Sequence, residues 1–351
     1  MEQTITDAAR AALYAELPAL LLPWYDKNKR DLPWRANKDP YRVLVSELML
    51  QQTRVEAARE HYIRFVRELP TAAALASCPE DKLFKLWEGL GYYSRARNLQ
   101  RAAQAVSEHG FPRTAEGLKK LPGVGEYTAG AVASIAFEQP APAVDGNVVR
   151  VLSRYLGDAL PAAQLRKRYA EELAPVYPAG RCGDFTQSLM ELGATVCAPS
   201  SPFCLACPLL GGCRTKSDAL PIPEKKPERR KTPVTMLLFY AGERVAIWRR
   251  KEGVLRGMYA FYTEERALTE CGLAARLAAC GAGGAKIGQP TAHRHVFSHI
   301  EWEIAAYPVD CAGCEAEVAS SFGVVFYPLS EVKAALSLPS AYRWALRLFK
   351  G

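Results

Sequence analysis

The sequence has no apolar run approaching the ~18 residues that would cross a bilayer. Its first residues, Met1-Glu2-Gln3-Thr4, have neither the basic region nor the apolar core of an export signal. A cytoplasmic protein with no membrane segment is therefore expected. Internal repeats and low-complexity tracts are missing too. With 49% hydrophobic and 23% charged residues the chain is not disordered, collagenous or a coiled coil. No heptad or apolar surface stripe stands out, so a monomer is expected. What is present is a length of 351 residues, enough for about two domains at roughly 150 residues each. There are also a net charge of +8 and ten cysteines. The charge makes an anionic partner plausible but decides little alone. In a reducing compartment clustered cysteines point to metal or redox chemistry rather than to disulfides.

Residues 218–233 contain four prolines and eight charged side chains and read as an extended connector. Before it, apolar residues recur at helical spacing (Leu44, Leu48, Val55, Tyr62, Val66) and prolines punctuate the segments, so residues 1–217 are expected to be all-α. One helix is expected from about Tyr41 to Val66. After the connector, β-rich runs at Val234–Tyr240, Val245–Arg249, His295–Val309 and Val324–Tyr327 alternate with helical stretches near Glu265–Ala279 and Glu331–Phe349. Residues 234–351 are thus expected to form a small α+β domain.

Cys197, Cys204, Cys207 and Cys213 are separated by six, two and five residues, and prolines keep the intervening loop irregular. Four thiolates in seventeen residues can face one centre, either a [4Fe–4S] cluster or structural zinc. The spacing is not a pair of Cys-x2-Cys knuckles, which counts against zinc. Cys78, Cys182, Cys271 and Cys280 are isolated and read as small buried hydrophobes, and Cys311 and Cys314 form a single Cys-x2-Cys with no second pair. Earlier in the chain, Leu121-Pro122-Gly123-Val124-Gly125-Glu126-Tyr127 sets a glycine turn between a helix ending near Lys120 and one starting near Glu126. The amides of such a turn, next to a helix N-terminus, suit an anion such as a DNA phosphate and read no sequence.

Hairpin and four-cysteine spacing together resemble the iron–sulfur branch of the helix-hairpin-helix DNA glycosylases, which includes endonuclease III and the MutY adenine glycosylases. The segments Leu32-Pro33-Trp34-Arg35, Ser46-Glu47-Leu48-Met49-Leu50-Gln51-Gln52-Thr53, Gly89-Leu90-Gly91-Tyr92-Tyr93 and Val144-Asp145-Gly146-Asn147-Val148 are similar to the MutY branch in particular. The resemblance implies one [4Fe–4S] cluster per chain on the four cysteines, ordering a basic loop against DNA. It also implies a base-excision-repair hydrolase that flips out adenine mispaired with 8-oxoguanine or guanine in duplex DNA and cleaves its N-glycosidic bond. Two alternatives remain at this stage: an endonuclease III-like glycosylase/lyase, and a non-catalytic iron–sulfur DNA-binding sensor.

Glycosidic cleavage needs an acid for the leaving base and an anion for the oxocarbenium-like sugar. Glu47, flanked on its helix by Val43, Leu44 and Leu50, should lose hydration and hold a proton near neutrality. Asp145, at a helix N-cap, should stay ionised. By resemblance Glu47 is the general acid/base and Asp145 the catalytic aspartate, and the cap reading of Asp145 survives beside the catalytic one. Asn147 is expected to support Asp145 and the sugar. Tyr127 stands where lyase-active relatives carry a Schiff-base lysine, so strand cleavage is not expected; the tyrosine lines the site or packs in the core. The resemblance further puts Trp34, Arg35 and Glu191 around the adenine, Leu50, Gln52 and Tyr92 at the wedge that fills the vacated stack, and Gly123, Val124 and Gly125 on the DNA backbone. It likens the second domain to a MutT/Nudix-like lesion-recognition module in which Phe297, Ser298 and His299 contact 8-oxoguanine. That domain lacks the glutamate-rich metal motif of nucleotide hydrolysis. It also has Gly257-Met258-Tyr259-Ala260-Phe261-Tyr262 where the family often has Gly-Leu-Trp-Glu-Phe-Pro.

Overall fold

A computed structural model describes residues 6–223 and 228–349. They fall into two compact units, Met1–Cys78 with Ser94–Lys225, and Pro79–Tyr93 with Lys226–Gly351. The division differs from the expected one in two ways. Pro79–Tyr93 belongs with the second unit. The expected connector also runs into a strand, because Arg230–Pro233 pair in parallel with Ile300–Glu303. Part of that connector, residues 224–227, lies outside the described residues.

In chain order the helices of the first three hundred residues are α1 (Asp7–Asn28), α2 (Pro40–Leu50), α3 (Val55–Glu68), α4 (Ala72–Ala76), α5 (Glu80–Trp87), α6 (Ser94–His109), α7 (Ala115–Leu118), α8 (Glu126–Phe137), α9 (Gly146–Leu156), α10 (Ala162–Leu173), α11 (Cys182–Thr195) and α12 (Glu270–Ala279). All but α5 and α12 lie in the first unit, as the periodicity predicts. Helix α1 buries Tyr14, Leu17, Leu21 and Tyr25, one residue per turn, and the first three share a core with Val148, Leu152 and Tyr155 of α9 and Phe185, Leu189 and Leu192 of α11. Helix α8 is buried from Thr128 to Ile135 and is the central rod of the unit. The single helix expected from Tyr41 to Val66 is two. Helix α2 starts on an Asp39 cap whose carboxylate accepts from Arg42 N at 2.9 Å. It ends at Leu50 because buried Arg95, from α6, donates Nη1 to Leu48 O at 2.7 Å, to Met49 O at 3.2 Å and to Gln51 O. That side chain satisfies the last carbonyls of α2, and the chain turns through Gln52 at φ 56°.

The second unit is built on an eight-stranded mixed sheet. Its strands are β1 (Arg230–Ala241), β2 (Arg244–Arg249), β3 (Tyr259–Ala260), β4 (Tyr262–Glu264), β5 (Lys286–Ile287), β6 (Thr291–Val296), β7 (Ile300–Asp310) and β8 (Val325–Pro328). The main path runs β3-β2-β1-β7-β5, with β4 on β1, β6 on β7 and β8 on β2. Only β1 and β7 pair in parallel, from Arg230↔Ile300 to Tyr240↔Asp310. Strand β1 is buried on both faces. Val234, Met236 and Leu238 point into one core with Trp302, Ile304 and Tyr342, while Leu237 and Phe239 point into another with Leu273, Leu277 and Phe322. The β-rich run from His295 to Val309 lies in a hairpin of β6 and β7, turning at Phe297-Ser298-His299. The expected helix Glu331–Phe349 is three short pieces, Leu329–Ala334, Ser340–Arg343 and the 3-10 turn Trp344–Leu348. Leu338-Pro339 lies between the first two, and proline removes a helix donor.

Candidate active site

A cleft of about 760 Å³ opens in the helical unit. Eleven of the residues singled out from sequence reach its lining: Glu47, Leu50 and Gln52 from α2 and its exit turn; Gly123, Gly125 and Tyr127 from the hairpin and α8; Asp145 and Asn147 from the start of α9; Trp34 and Arg35; and Glu191 from α11. The two carboxyls come from elements separated by almost a hundred residues and meet only through the packing of α2, α8 and α9.

Glu47 is 6% exposed, and its Oε2 accepts from Tyr127 OH at 2.6 Å. Burial pushes its carboxyl up to about 7, the negative charge of Asp145 adds to the rise, and the Tyr127 hydrogen bond and Arg35 oppose it. Desolvation and the negative charges of Glu47 and Asp145 in turn raise the Tyr127 phenol well above its ordinary range, so it stays protonated. The rise at Glu47 is in the direction expected from its apolar neighbours.

Asp145 caps α9. Its Oδ1 accepts from Val148 N at 2.8 Å and its Oδ2 from Asn147 Nδ2 at 2.8 Å. Here the structure corrects the expectation that the two carboxyls are pushed in opposite directions. Burial raises Asp145 as well, and the Val148 and Asn147 donors and nearby Arg150 only oppose that rise. The sequence displays the cap amides but not the depth at which the cap lies. Asn147 is gripped in turn: Arg150 Nη2 donates to Asn147 Oδ1 and to Gly193 O, both at 2.8 Å, and its Nε donates to Cys197 O at 2.8 Å. Gly193 permits this close approach of α11, since a Cβ there would stand 2.6 Å from Asn147 Cβ. Arg150 had no signal in the sequence beyond being one arginine of a helix.

Glu191, expected beside the base, is already committed. It is 1% exposed and accepts from Arg30 N (2.9 Å), Arg30 Nε (2.8 Å), Arg30 Nη2 (3.0 Å) and Arg35 Nη2 (2.8 Å). Burial works against its ionisation, yet these donors hold it down to about 2. It therefore fixes two guanidinium groups in the cleft wall rather than offering a free carboxylate. Arg35 also donates Nε to Gln187 Oε1 at 3.0 Å. Arg30 and Gln187 line the cleft and were missed by sequence reasoning, because nothing local distinguishes them. Trp34 is buried, edge-on to Tyr62 at 5.6 Å.

The comparisons fit this geometry. Residues 45–175, which contain both carboxyls, match the family model described as HhH-GPD superfamily base excision DNA repair protein. A solved structure of a thermostable thymine-DNA glycosylase aligns with 58% of this chain and 97% of its own, at 31% identity and a TM-score of 0.53. The chain belongs to the HhH-GPD superfamily. Among relatives, adenine DNA glycosylases of Mus musculus and Homo sapiens are 51% and 49% identical over 209 and 211 residues, or 55% and 56% of this chain. This chain spans only 40% and 38% of their lengths.

The hairpin expected of an HhH-GPD protein lies between α7 and α8. Gly123 sits at φ 76°, where a Cβ would meet Asn98 Cβ at 2.5 Å, so no other residue fits. Gly125 caps α8 without a side-chain acceptor, which leaves the first amides of the helix to an outside anion. Val124 is 6% exposed, so only its backbone can face a ligand. The wedge candidates are divided: Gln52 lines the cleft at φ 56°, whereas Tyr92, exposed at φ 47°, belongs to the second unit. Phe297, Ser298 and His299 form the β6–β7 turn, with Phe297 N donating to Ile300 O at 2.8 Å and the Ser298 and His299 side chains exposed. Of the isolated cysteines, Cys271 is exposed rather than buried, because it faces outward on α12.

The four-cysteine loop follows α11. Cys197, Cys204, Cys207 and Cys213 line one small cavity with Arg154. Arg154 donates Nη1 to Cys197 Sγ at 3.4 Å and ties the loop through Ala198 O and Pro199 O. Among the described residues no three His, Cys, Asp or Glu side chains converge on a single-ion position. The all-sulfur donor set, with Arg154 donating to Cys197 Sγ, has the chemistry to hold a metal centre through thiolates. Burial raises the Cys197 thiol and pushes Cys207 up to about 11, so the cationic charge of iron would be needed to hold them as thiolates. The loop is not basic as expected. No lysine or arginine lies between Cys197 and Cys213, and the loop exposes two large hydrophobic side chains, Phe203 and Leu205, at 63% and 85%.

Proposed function

We propose that the chain is a monofunctional adenine DNA glycosylase acting on adenine opposite 8-oxoguanine or guanine in duplex DNA. The observation that carries this reading is the pair of buried Glu47 and half-buried Asp145, one carboxyl with a titration point near 7 and a single hydroxyl donor, the other accepting from a backbone amide and a side-chain amide, both lining one cleft. Protonated Glu47 gives its proton to a ring nitrogen of the extruded purine. The glycosidic bond breaks with its electron pair leaving on the base, and anionic Asp145 stabilises the cationic sugar. Water then adds to the anomeric carbon and returns its proton to the Glu47 carboxylate, leaving an abasic site and free adenine. Tyr127 offers no amine for a Schiff base, which supports base removal without strand cleavage.

In this reading Trp34, Arg35 and Arg30, held by Glu191, form the base pocket, and Asn147 and Arg150 hold Asp145. The Gly123–Gly125 amides take a backbone phosphate, and Leu50, Gln52 and Tyr92 fill the vacated stack. The sheet unit serves as a MutT-like recognition module whose Phe297-Ser298-His299 turn meets the opposite base. Cys197, Cys204, Cys207 and Cys213 would hold the [4Fe–4S] cluster, which when bound supplies a rigid cross-link for the loop. The resemblance in the motifs and the names of the relatives support the choice of adenine.

The deciding experiment is release of free adenine under single-turnover conditions from a duplex carrying adenine opposite 8-oxoguanine. Release without a nick or a borohydride-trapped adduct is expected. Glu47→Gln and Asp145→Asn should each lower the rate by about 10²- to 10⁴-fold while duplex binding persists. A chain that binds the duplex and releases no adenine opposite either 8-oxoguanine or guanine would refute the reading.

A further inference from the structure

Tyr92 sits on the segment Pro79–Tyr93, which the chain builds into the sheet unit although more than a hundred residues separate the two in sequence. The attachment is specific and largely buried. Ser337, 2% exposed, donates Oγ to Phe84 O at 3.1 Å and lies 3.3 Å from Tyr93 OH. One residue on, Leu338 N donates to Glu88 Oε1 at 3.3 Å, and Arg343 Nη2 reaches the same oxygen at 3.3 Å. At the other end of α5, Asp81 pairs with Arg249 of β2 and accepts from Tyr259 OH at 3.1 Å.

Between these anchors the chain is strained. Gly89 and Gly91 have φ of 105° and 68°, and Tyr92, 46% exposed, has φ 47°. A tyrosine is rarely held there unless its surroundings over-determine it. They do so on both sides: Trp87 Nε1 donates to Gly91 O at 3.1 Å, and Tyr93 is 6% exposed with its ring edge-on to Phe84 at 5.3 Å. The Phe297-Ser298-His299 turn belongs to this same unit. Gln52 and the carboxyl pair belong to the other.

We propose that Ser337, with Glu88, is a positioning residue through which the sheet unit holds Tyr92 presented as a wedge, so that insertion of Tyr92 and engagement of the opposite base are carried out by one body. The inference rests on the wedge role given to Tyr92 above. Were Ser337 a packing residue alone, its loss would be felt equally whether or not Tyr92 is present.

A double-mutant cycle on the full chain separates these cases. Base extrusion is followed by stopped-flow fluorescence with 2-aminopurine in place of the target adenine, opposite 8-oxoguanine. Ser337→Ala, which removes two hydrogen-bonded contacts, should slow extrusion about tenfold. Tyr92→Ala should slow it at least as much, and the double variant no further than Tyr92→Ala alone. A second, exposed pair guards against misfolding at Ser337. Asp81→Arg and Arg249→Asp should each slow extrusion about two- to fivefold, and the charge-swapped double should recover most of it. Additive losses in the cycle with a slow Tyr92→Ala, or a Ser337→Ala chain as fast as the wild type, overturn the inference alone. A Tyr92→Ala chain that extrudes the base at the wild-type rate overturns the wedge role and the inference with it.

Discussion

Replacing Glu47 by glutamine should lower excision by about 10²- to 10⁴-fold and at the same time stabilise the protein, by an amount that grows as pH rises from about 4.5 to 7 and then stays constant. Glu47 is 6% exposed and its carboxyl titrates near 7 rather than at its ordinary 4.5. At about 1.4 kcal/mol per pH unit, keeping the ionised form buried costs roughly 3 kcal/mol. A carboxyl raised in the folded state contributes its stability fully below the unfolded value of 4.5, and that contribution is lost as pH rises through about 7. Glutamine keeps an acceptor for Tyr127 and never ionises. The variant should therefore exceed the wild type by roughly 3 kcal/mol at pH 8.5 and by about 1 kcal/mol or less at pH 5. In a helical unit of this size the first figure amounts to roughly 6–12 °C in melting temperature. Thermal melts of full-length wild type and Glu47→Gln at the two pH values, alongside single-turnover excision, test both halves. An equal difference at the two pH values, or a variant less stable than wild type at pH 8.5, would refute the claim that Glu47 is buried at the expense of its charge.

Tyr127→Phe removes the hydroxyl that favours ionised Glu47. The alkaline fall of the excision rate should move to higher pH by about one to two units, as read from a pH–rate profile. Arg35→Ala leaves Glu191 buried with one of its two guanidinium partners, and denaturant melts should show a loss of about 3–5 kcal/mol. Arg166, exposed on α10 at the rim of the cleft, is placed to meet a phosphate. In Arg166→Gln the slope of log affinity against log salt should shrink by about 1, and an unchanged slope would remove it from the DNA contact.

What was legible in the sequence was what neighbours along the chain impose. The apolar residues at Val43, Leu44 and Leu50 announce that Glu47 is buried, and Gly146-Asn147 after Asp145 announces a cap. What stayed hidden depends on residues far away. Helix α2 stops at Leu50 because of Arg95, some forty-five residues on, and no glycine or proline marks the break. Glu191 reads as a free carboxylate until Arg30 and Arg35 arrive from the other end of the unit. Strand β1 begins in a proline- and lysine-rich stretch that looks like linker, because its partner β7 lies seventy residues later in a parallel pairing that local composition cannot display. The placement of Pro79–Tyr93 is hidden for the same reason.

The correction at Asp145 sharpens rather than dissolves the division between the two acids. Both carboxyls rise, so neither burial nor the cap assigns the roles by itself; the number of donors does. Asp145 accepts from the Val148 amide and the Asn147 side chain, is lowered further by the Asn147 amide, and has Arg150 nearby, whereas Glu47 accepts from a single hydroxyl. Hydrogen bonds to a charged acceptor are worth about 1.5–3 kcal/mol each, so the surplus of donors adds to the slightly greater intrinsic acidity of aspartate over glutamate. The first proton to leave the pair therefore leaves Asp145. Its charge then raises Glu47, and the second proton is held where the leaving base can take it. In the proposed mechanism buried Glu47 and half-buried Asp145 thus supply an acid and an anion at the same pH, and the order in which they titrate follows from the number of donors each carboxyl accepts.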